Sequence, residues 1–264
     1  MAGFPDLSDH LLALAYGCLL PYLSGVKGRE AMEGVRLTER DRRRFYLANS
    51  VLLLSGAIPV LLSWVWHGRP YATLGFPGRF AGTAEGASLW LTVSGLMLLY
   101  SSDLLWNLRS LGRNRARSEE LEARVPFLPK SAMDMPAYLV MCAAAAFAEE
   151  VVYRGFMVGY FMAGRGGDAG IPVTALLVPA VLFSLAHLYQ GWLAVGKILL
   201  LSVLLGYIYF LSGSVWLVMT IHFTVDFVSG LACLSVIGRE AGETGSMTPG
   251  EEESVGDGGG PEAS

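Results

Sequence analysis

Charged residues are scarce in this chain. Of its 264 residues only 16% are Asp, Glu, Lys or Arg, whereas 53% are hydrophobic and the mean hydropathy is +0.47. Soluble domains usually contain about 25% charged residues. The shortage of charge excludes an ordinary soluble domain and predicts an integral membrane protein.

Cysteine and processing signals are also scarce. The three cysteines, Cys18, Cys142 and Cys233, have neither paired spacing nor a CxxC pattern, so they predict no disulfide framework and no thiolate metal site. No basic segment precedes the first apolar run, so we expect no cleaved signal peptide. The two ends of the chain lack lipidation motifs.

Long apolar segments are what the chain has in abundance. A transmembrane helix needs about 20 mostly apolar residues. About seven segments qualify, with six to eight as the range, and they run roughly over residues 7–26, 45–66, 87–106, 135–162, 171–189, 194–211 and 215–237. The pattern predicts an all-α fold, a polytopic transmembrane helical bundle.

Lys and Arg are concentrated in two of the loops. Residues 27–44 hold seven of them and residues 107–134 hold six, whereas the loops 67–86 and 163–170 hold two and one. Two predicted spans separate the basic loops, so both loops lie on one side, which the positive-inside rule assigns to the cytoplasm. Membrane lipids are the expected partners of these charges. Nucleic-acid binding is not needed to explain them.

Composition divides the chain into three regions. Residues 1–134 contain the N-terminal spans with the basic loops, and residues 135–238 contain the last four predicted spans. Residues 239–264 hold one Arg against seven Asp or Glu and many Gly, so we predict a disordered acidic tail. The compact chain favours a multi-pass protein of a prokaryotic plasma membrane.

The most informative residues are charges inside the fourth predicted span. Glu149, Glu150 and Arg154 stand in the segment AEEVVYRGF, and a charge within hydrocarbon costs at least ~2.5–3.5 kcal/mol. Glu150 and Arg154 are neighbours at i and i+4 on a helix, so we predict that they form an ion pair. Glu149 has no such local counter-charge. We predict that Glu149 is the carboxylate available as a general base or acid.

Two later spans supply histidines and a further carboxylate. His187 lies near the end of the fifth span, and His222 in the last span shares a helical face with Asp226. One chemistry that suits these groups is hydrolysis, in which a carboxylate activates water while imidazoles stabilise an oxyanion or hold a metal. The other is ion or proton movement through a membrane transporter. The residues alone leave both open.

Three motifs in order resemble a known family. AEEVVYRGF matches the motif EExxxR, FSLAH matches FxxxH, and IHFTVD matches a final His-x-x-x-Asn/Asp. Over roughly residues 135–237 the chain resembles the CAAX-protease and bacteriocin-processing family of intramembrane endopeptidases.

The resemblance implies hydrolysis of membrane-associated protein or peptide substrates, with prenylated CAAX-type proteins among the candidates. It implies that Glu149 activates the hydrolytic water and that His187 helps to hold it. It also implies that His222 and Asp226 stabilise the tetrahedral oxyanion. The supporting residues that it implies are Glu150, Arg154 and Phe183.

Asp226 departs from the Asn that is common at this position in CAAX-processing members. An Asn amide can donate to an oxyanion, whereas Asp can donate only when protonated. An ionised Asp226 would instead orient His222 or bind a metal. Glu149, His187 and His222 could together form a zinc site with an open water position. The family has been described both as glutamate-type and as metal-dependent, so the predicted cofactor is either none or zinc.

Overall fold

Seven helices make up most of the structure, a computed structural model that describes residues 4–35, 37–76, 83–111, 126–163 and 171–246. In chain order they are α1 (Leu7–Met32), α2 (Glu39–Trp66), α3 (Thr83–Leu111), α4 (Met135–Met162), α5 (Val173–Ala186), α6 (Trp192–Ser212) and α7 (Val215–Ser246). These described ranges contain no strand. The predicted polytopic helical bundle is confirmed.

Six of the seven helices are long and apolar enough to cross a membrane. The exception is α5, whose 14 residues span about 21 Å, less than the ~30 Å of a bilayer's hydrocarbon core. It occupies the predicted fifth span, 171–189, but ends at Ala186. A short turn follows, and it closes at Gly191, whose φ of +96° favours glycine.

Short polar side chains and proline mark several helix starts. The side chain of Thr38 accepts from the backbone N–H of Asp41 at the start of α2. In α4, Pro136 stands in the first turn, where its missing N–H costs no hydrogen bond. At the start of α7, the Oγ of Ser214 accepts from the N–H of Leu217. These local signals place the helix that carries each candidate site residue.

Helix α4 widens immediately after the two glutamates. Residues Val151–Met157 form a π-helical segment, and every residue in it is buried. Such wide turns occur frequently at functional sites. Further π-helical turns interrupt α1 at Ala15–Leu19 and Pro21–Lys27.

Helix α4 lies in the middle of the bundle, where it packs against α2 and α7. Ala144, Ala146 and Ala148 are buried on it, and such small residues let helix backbones approach closely in a membrane. The core beyond the glutamates contains Trp64 and Phe156, whose rings pack edge to face at 6.1 Å. The position of α4 therefore fixes the candidate site inside the protein.

A buried ion pair joins the ends of the two basic loops. The Nε of Arg42, at the start of α2, donates to Oδ2 of Asp134 at 2.9 Å, just before α4 begins. This contact brings the end of the loop 27–44 beside the end of the loop 107–134. Residues 36 and 112–125 of these loops lie outside the described residues.

Helix α7 continues beyond the last candidate span. The apolar part is Val215–Ser235, and the helix extends to Ser246, eight residues into the segment predicted as an acidic tail. The rest of that tail, residues 247–264, lies outside the described residues.

Candidate active site

Glu150 is the centre of a buried hydrogen-bond network. Its Oε1 accepts from Nη1 of Arg154 at 2.8 Å, as the i,i+4 spacing predicts, and from Nδ1 of His222 at 2.7 Å. The Glu150 side chain has no exposed surface, and its Oε2 has no hydrogen-bond partner among the described residues. Because Glu150 is the acceptor in the contact with His222, Nδ1 of that ring carries a proton.

Arg154 is held by two further groups. Its Nη2 donates to Oγ of Ser202 at 2.8 Å and lies 3.3 Å from the Ser202 carbonyl oxygen. Its guanidinium carbon lies 5.0 Å from the centre of the Phe183 ring, within range of a cation–π interaction. Sequence reasoning missed Ser202. The available signal was a lone hydroxyl residue within the apolar run KILLLSVLLG of α6.

The second ring nitrogen of His222 faces two carboxylates. Nε2 lies 3.6 Å from Oε2 of Glu149 and 3.4 Å from Oδ2 of Asp226. The contact with Asp226 follows from their i,i+4 spacing on α7. The contact with Glu149 was not visible in the sequence, because it joins two helices. Glu149 thus has an imidazole partner instead of standing alone.

Exposure separates the two adjacent glutamates. The side chain of Glu149 is 18% exposed and that of Asp226 is 36% exposed, whereas Glu150 is 0% exposed. Glu149 and Asp226 therefore keep part of their side chains at the protein surface. Glu150 is enclosed by protein.

His187 stands at the C-terminal end of α5. Its Nδ1 donates to the carbonyl oxygen of Phe183 at 2.8 Å. Its ring centre lies 4.6 Å from that of Phe183, and the Phe183 ring in turn lies 6.1 Å from the ring of His222. Phe183 thus contacts the rings of both histidines.

Tyr189, in the turn after α5 and outside the spans, joins the same cluster. Its ring centre lies 5.9 Å from that of His187, and its hydroxyl accepts from Nε2 of Gln190 at 3.0 Å. Burial raises the pKa of Tyr189, so the phenol stays neutral and keeps its proton at ordinary pH. Sequence reasoning missed this residue, because a tyrosine near a helix end is usually interfacial.

The hydrogen bonds at Nδ1 determine what the two imidazoles can do. Nδ1 of His187 and Nδ1 of His222 each face an acceptor oxygen, so both carry a proton. In the neutral form each Nε2 is then an acceptor, able to take a proton from water. In the charged form each Nε2 becomes a donor, able to stabilise negative charge.

The predicted zinc site requires Glu149, His187 and His222 to converge on one point. Over the described ranges, no group of three or more His, Cys, Asp or Glu side chains is arranged to hold a metal ion. These residues do not fit a three-ligand zinc site in this structure. No step of the reaction proposed below passes through a metal.

Together, the fold and these contacts define a multi-pass membrane protein with a buried carboxylate–imidazole site in its central helices. Comparison with family models identifies the class. Residues 131–228 match the family described as Type II CAAX prenyl endopeptidase Rce1-like. That segment contains all seven candidate site residues, and over it the chain is similar to the CAAX-protease family that its motifs resemble.

The match supports a CAAX-type intramembrane protease and does not favour the transporter alternative. Comparisons with curated proteins and with solved structures found no match. The functional conclusion therefore depends on the family segment and on the geometry of its residues.

Proposed function

We propose that the chain is an intramembrane endopeptidase that hydrolyses a peptide bond of a membrane-associated protein or peptide by means of a water activated by Glu149. The observation that carries this proposal is the difference between the two glutamates within the family segment. Glu150 is enclosed by Arg154 and His222, whereas Glu149 is partly exposed and has an imidazole within 3.6 Å. The family description favours prenylated CAAX-type proteins as the substrate class.

In the first step Glu149 removes a proton from water, and the water oxygen attacks the carbonyl carbon of the scissile bond. Nε2 of neutral His187 accepts a hydrogen bond from the second water O–H, which stays on the attacking oxygen, and so orients the nucleophile. The attack gives a tetrahedral intermediate whose oxygen carries a negative charge. Glu149 then transfers its proton to the leaving amine as the C–N bond breaks.

His222 is proposed to stabilise the oxyanion as an imidazolium. Its Nδ1 proton is bound by Glu150, so only a second proton at Nε2 allows it to donate toward the substrate. The Asp226 carboxylate lies 3.4 Å from Nε2, so it is suited to accept a hydrogen bond from the Nε2 proton when no substrate is bound. Asp226 would then orient the ring in place of the donating Asn of other members.

The supporting residues keep this ring in position. Glu150 fixes the tautomer and orientation of His222, and Arg154 provides the buried counter-charge that Glu150 needs. Phe183 separates the two imidazoles and covers the guanidinium of Arg154. We place the enzyme in a plasma membrane, surrounded by lipid, with the basic loops 27–44 and 107–134 in the cytoplasm.

The test uses the full chain reconstituted in lipid vesicles. The substrate is a fluorogenic peptide with a farnesylated cysteine followed by three C-terminal residues, and Glu149→Gln is compared with the wild type. We expect cleavage by the wild type and a loss of kcat of about 10²–10⁴-fold in Glu149→Gln, the usual range for a general base. An equal thermal midpoint for both proteins controls for folding. A Glu149→Gln protein with more than a tenth of wild-type activity would overturn the role of Glu149.

Two further arms sharpen the proposal. The same peptide without the farnesyl group tests the substrate class, because equal cleavage of both peptides removes the prenyl requirement. Dialysis against a strong chelator tests the metal-free reaction. Activity that disappears on chelation and returns with zinc would contradict it.

A further inference from the structure

We propose that Tyr138 and Tyr100 are positioning residues for the reaction, and that they set the place of α7, and hence of His222 and Asp226, relative to Glu149. The two tyrosines lie on α4 and α3, outside the three motifs. The inference rests on the proposed function, because it concerns how that site is held.

Both tyrosines donate to the backbone of α7 at consecutive residues. The hydroxyl of Tyr138 donates to the carbonyl oxygen of Asp226 at 3.0 Å, and the hydroxyl of Tyr100 donates to the carbonyl oxygen of Val225 at 2.8 Å. The Tyr100 hydroxyl also lies 2.9 Å from Oγ of Ser229. A carbonyl oxygen has two lone pairs, so it can accept a hydrogen bond from a tyrosine hydroxyl in addition to one from a helical N–H. The hydroxyls therefore hold α7 from two neighbouring helices, one turn beyond His222.

Glycine at position 230 allows the ring of Tyr138 to reach the backbone of α7. Gly230 is buried, and a Cβ added there would overlap Cε1 of the Tyr138 ring, with Cζ and Cδ1 also within 3.0 Å. Any larger residue would push the ring, and its hydroxyl, away from the Asp226 carbonyl. The close approach shows that α4 and α7 are in direct contact at this level.

The ring of Tyr138 is itself fixed on its other side. It packs edge to face against Tyr46 of α2, with ring centres 5.5 Å apart and planes at 72°. Both tyrosines are buried, at 4% and 0% exposure. Tyr138 thus contacts α2 through its ring and α7 through its hydroxyl, so it fixes α7 relative to the packed pair of α2 and α4.

The geometry links this contact to the site. Glu149 lies eleven residues after Tyr138 on α4, a distance of about 16 Å along the helix. The Glu150–His222 hydrogen bond and the Tyr138–Asp226 hydrogen bond are therefore two separate points at which α4 and α7 are tied together. With one tie lost, α7 can pivot about the other, and Nε2 of His222 moves relative to the Glu149 carboxylate.

The experiment compares Tyr138→Phe with Tyr46→Phe in the full chain in vesicles. Both changes remove one buried phenolic oxygen and keep the ring. The Tyr46 hydroxyl has no hydrogen-bond partner among the described residues, so its loss breaks no known contact. We expect Tyr138→Phe to lower kcat about 5- to 10-fold while KM stays within about twofold, and Tyr46→Phe to leave both unchanged. Gly230→Ala should lower kcat further, because it displaces the whole ring.

Hydrogen–deuterium exchange of α7 provides a readout independent of activity. We expect amides of residues 222–230 to exchange faster in Tyr138→Phe than in the wild type, and to be unaffected in Tyr46→Phe. Faster exchange with no peptidase activity in any variant, wild type included, would overturn the proposed function and keep the positioning of α7. An active wild type, an inactive Glu149→Gln and an unchanged kcat in Tyr138→Phe would overturn the positioning role. Equal losses of kcat in Tyr138→Phe and Tyr46→Phe would also overturn it.

Discussion

Two clusters of this protein contain the same types of charged residue but differ in how their polar atoms are partnered. The candidate active site combines carboxylates, an arginine and histidines. A second cluster, formed by Asp6, Asp9, His67 and Arg69, does the same where α1 begins and α2 ends. Residue type therefore does not distinguish the two, and the difference lies in which polar atoms already have partners.

In the second cluster all four carboxylate oxygens are occupied. Arg69 binds both oxygens of Asp9, each at 2.7 Å, and one of its nitrogens also lies 2.8 Å from Oδ2 of Asp6. His67 contacts the same Asp6 oxygen at 2.8 Å. The other oxygen of Asp6 accepts from the backbone and hydroxyl of Ser8. Every carboxylate oxygen in this cluster thus has a short contact within the protein, and the cluster is suited to joining α1 to α2.

In the active site several acceptors remain open. Oε2 of Glu150 has no partner over the described residues, and Glu149 and Asp226 are partly exposed. Nε2 of His222 lies no closer than 3.4 Å to the carboxylate oxygens of Glu149 and Asp226. Unpartnered acceptor atoms and partial exposure, and not burial of charge as such, distinguish the candidate active site from the second cluster.

The largest expected effect comes from removing the arginine of the active site. Arg154→Ala leaves Glu150 buried without its counter-charge, which costs about 3–5 kcal/mol in a fully buried pair. We expect a strongly reduced thermal midpoint and low yield of folded protein. Adding Glu150→Gln to Arg154→Ala removes the unpaired charge, so stability should recover in part while activity stays lost. A normally folded Arg154→Ala protein would show that Glu150 does not depend on Arg154.

Removing the arginine of the second cluster should separate stability from activity. Arg69→Ala leaves Asp9 buried and also ends the cation–π contacts with Phe4 and Trp64 at 4.9 and 5.1 Å. We expect a loss of about 2–3 kcal/mol of folding free energy. The kcat of the protein that remains folded should stay within about twofold of the wild type. A drop in kcat of tenfold or more would contradict the distinction between the two clusters, because it would show that the second cluster also affects catalysis.

The smallest expected effect is a dependence of stability on pH at the second cluster. Hydrogen bonds from Ser8, opposed in part by burial and aided by the Asp9 backbone and the charges of His67 and Arg69, lower the pKa of Asp6 from 3.8 to about 2. Because the folded-state pKa is lowered, ionised Asp6 stabilises the protein above about pH 4, and this contribution is lost as the pH falls toward 2.

Asp6→Asn removes the titrating group, and its thermal midpoint should fall less between pH 5 and pH 3 than that of the wild type. We expect a difference of about 2 °C, since Asp6 is partly exposed and its interactions are screened. An equal fall in the thermal midpoints of the wild type and Asp6→Asn over this pH range would show that ionised Asp6 does not stabilise the protein.

The sequence predicts the contacts that lie within one helix and misses those that join helices. The Glu150–Arg154 and His222–Asp226 pairs follow from i,i+4 spacing alone. The Glu150–His222 bond joins residues 72 positions apart, and no periodicity in either span indicates it. Local spacing fixes which side chains share a face, whereas packing of helices decides which faces meet.

The helix lengths show the same division. Apolar composition predicts the long helices well, because burial in hydrocarbon requires about 20 apolar residues in a row. It overestimates the fifth span, since the apolar residues after Ala186 belong to a turn and not to the helix. Ser202 and Tyr138 were missed because each is one polar group in an apolar run, and only the tertiary contact gives it a role.

The short length of helix α5 should make the proposed activity depend on the thickness of the bilayer. A helix of about 21 Å cannot match ~30 Å of hydrocarbon, so lipid beside it must thin or its ends must lie in water. His187 stands at one of those ends. Under the proposed mechanism, in which His187 orients the water that Glu149 activates, the hydrated boundary of the membrane would supply that water. Lipids with shorter acyl chains fit α5 better than longer ones. The rate of proteolysis should therefore be higher in vesicles whose bilayers are thinner. Acyl-chain length would then determine how easily water reaches the site.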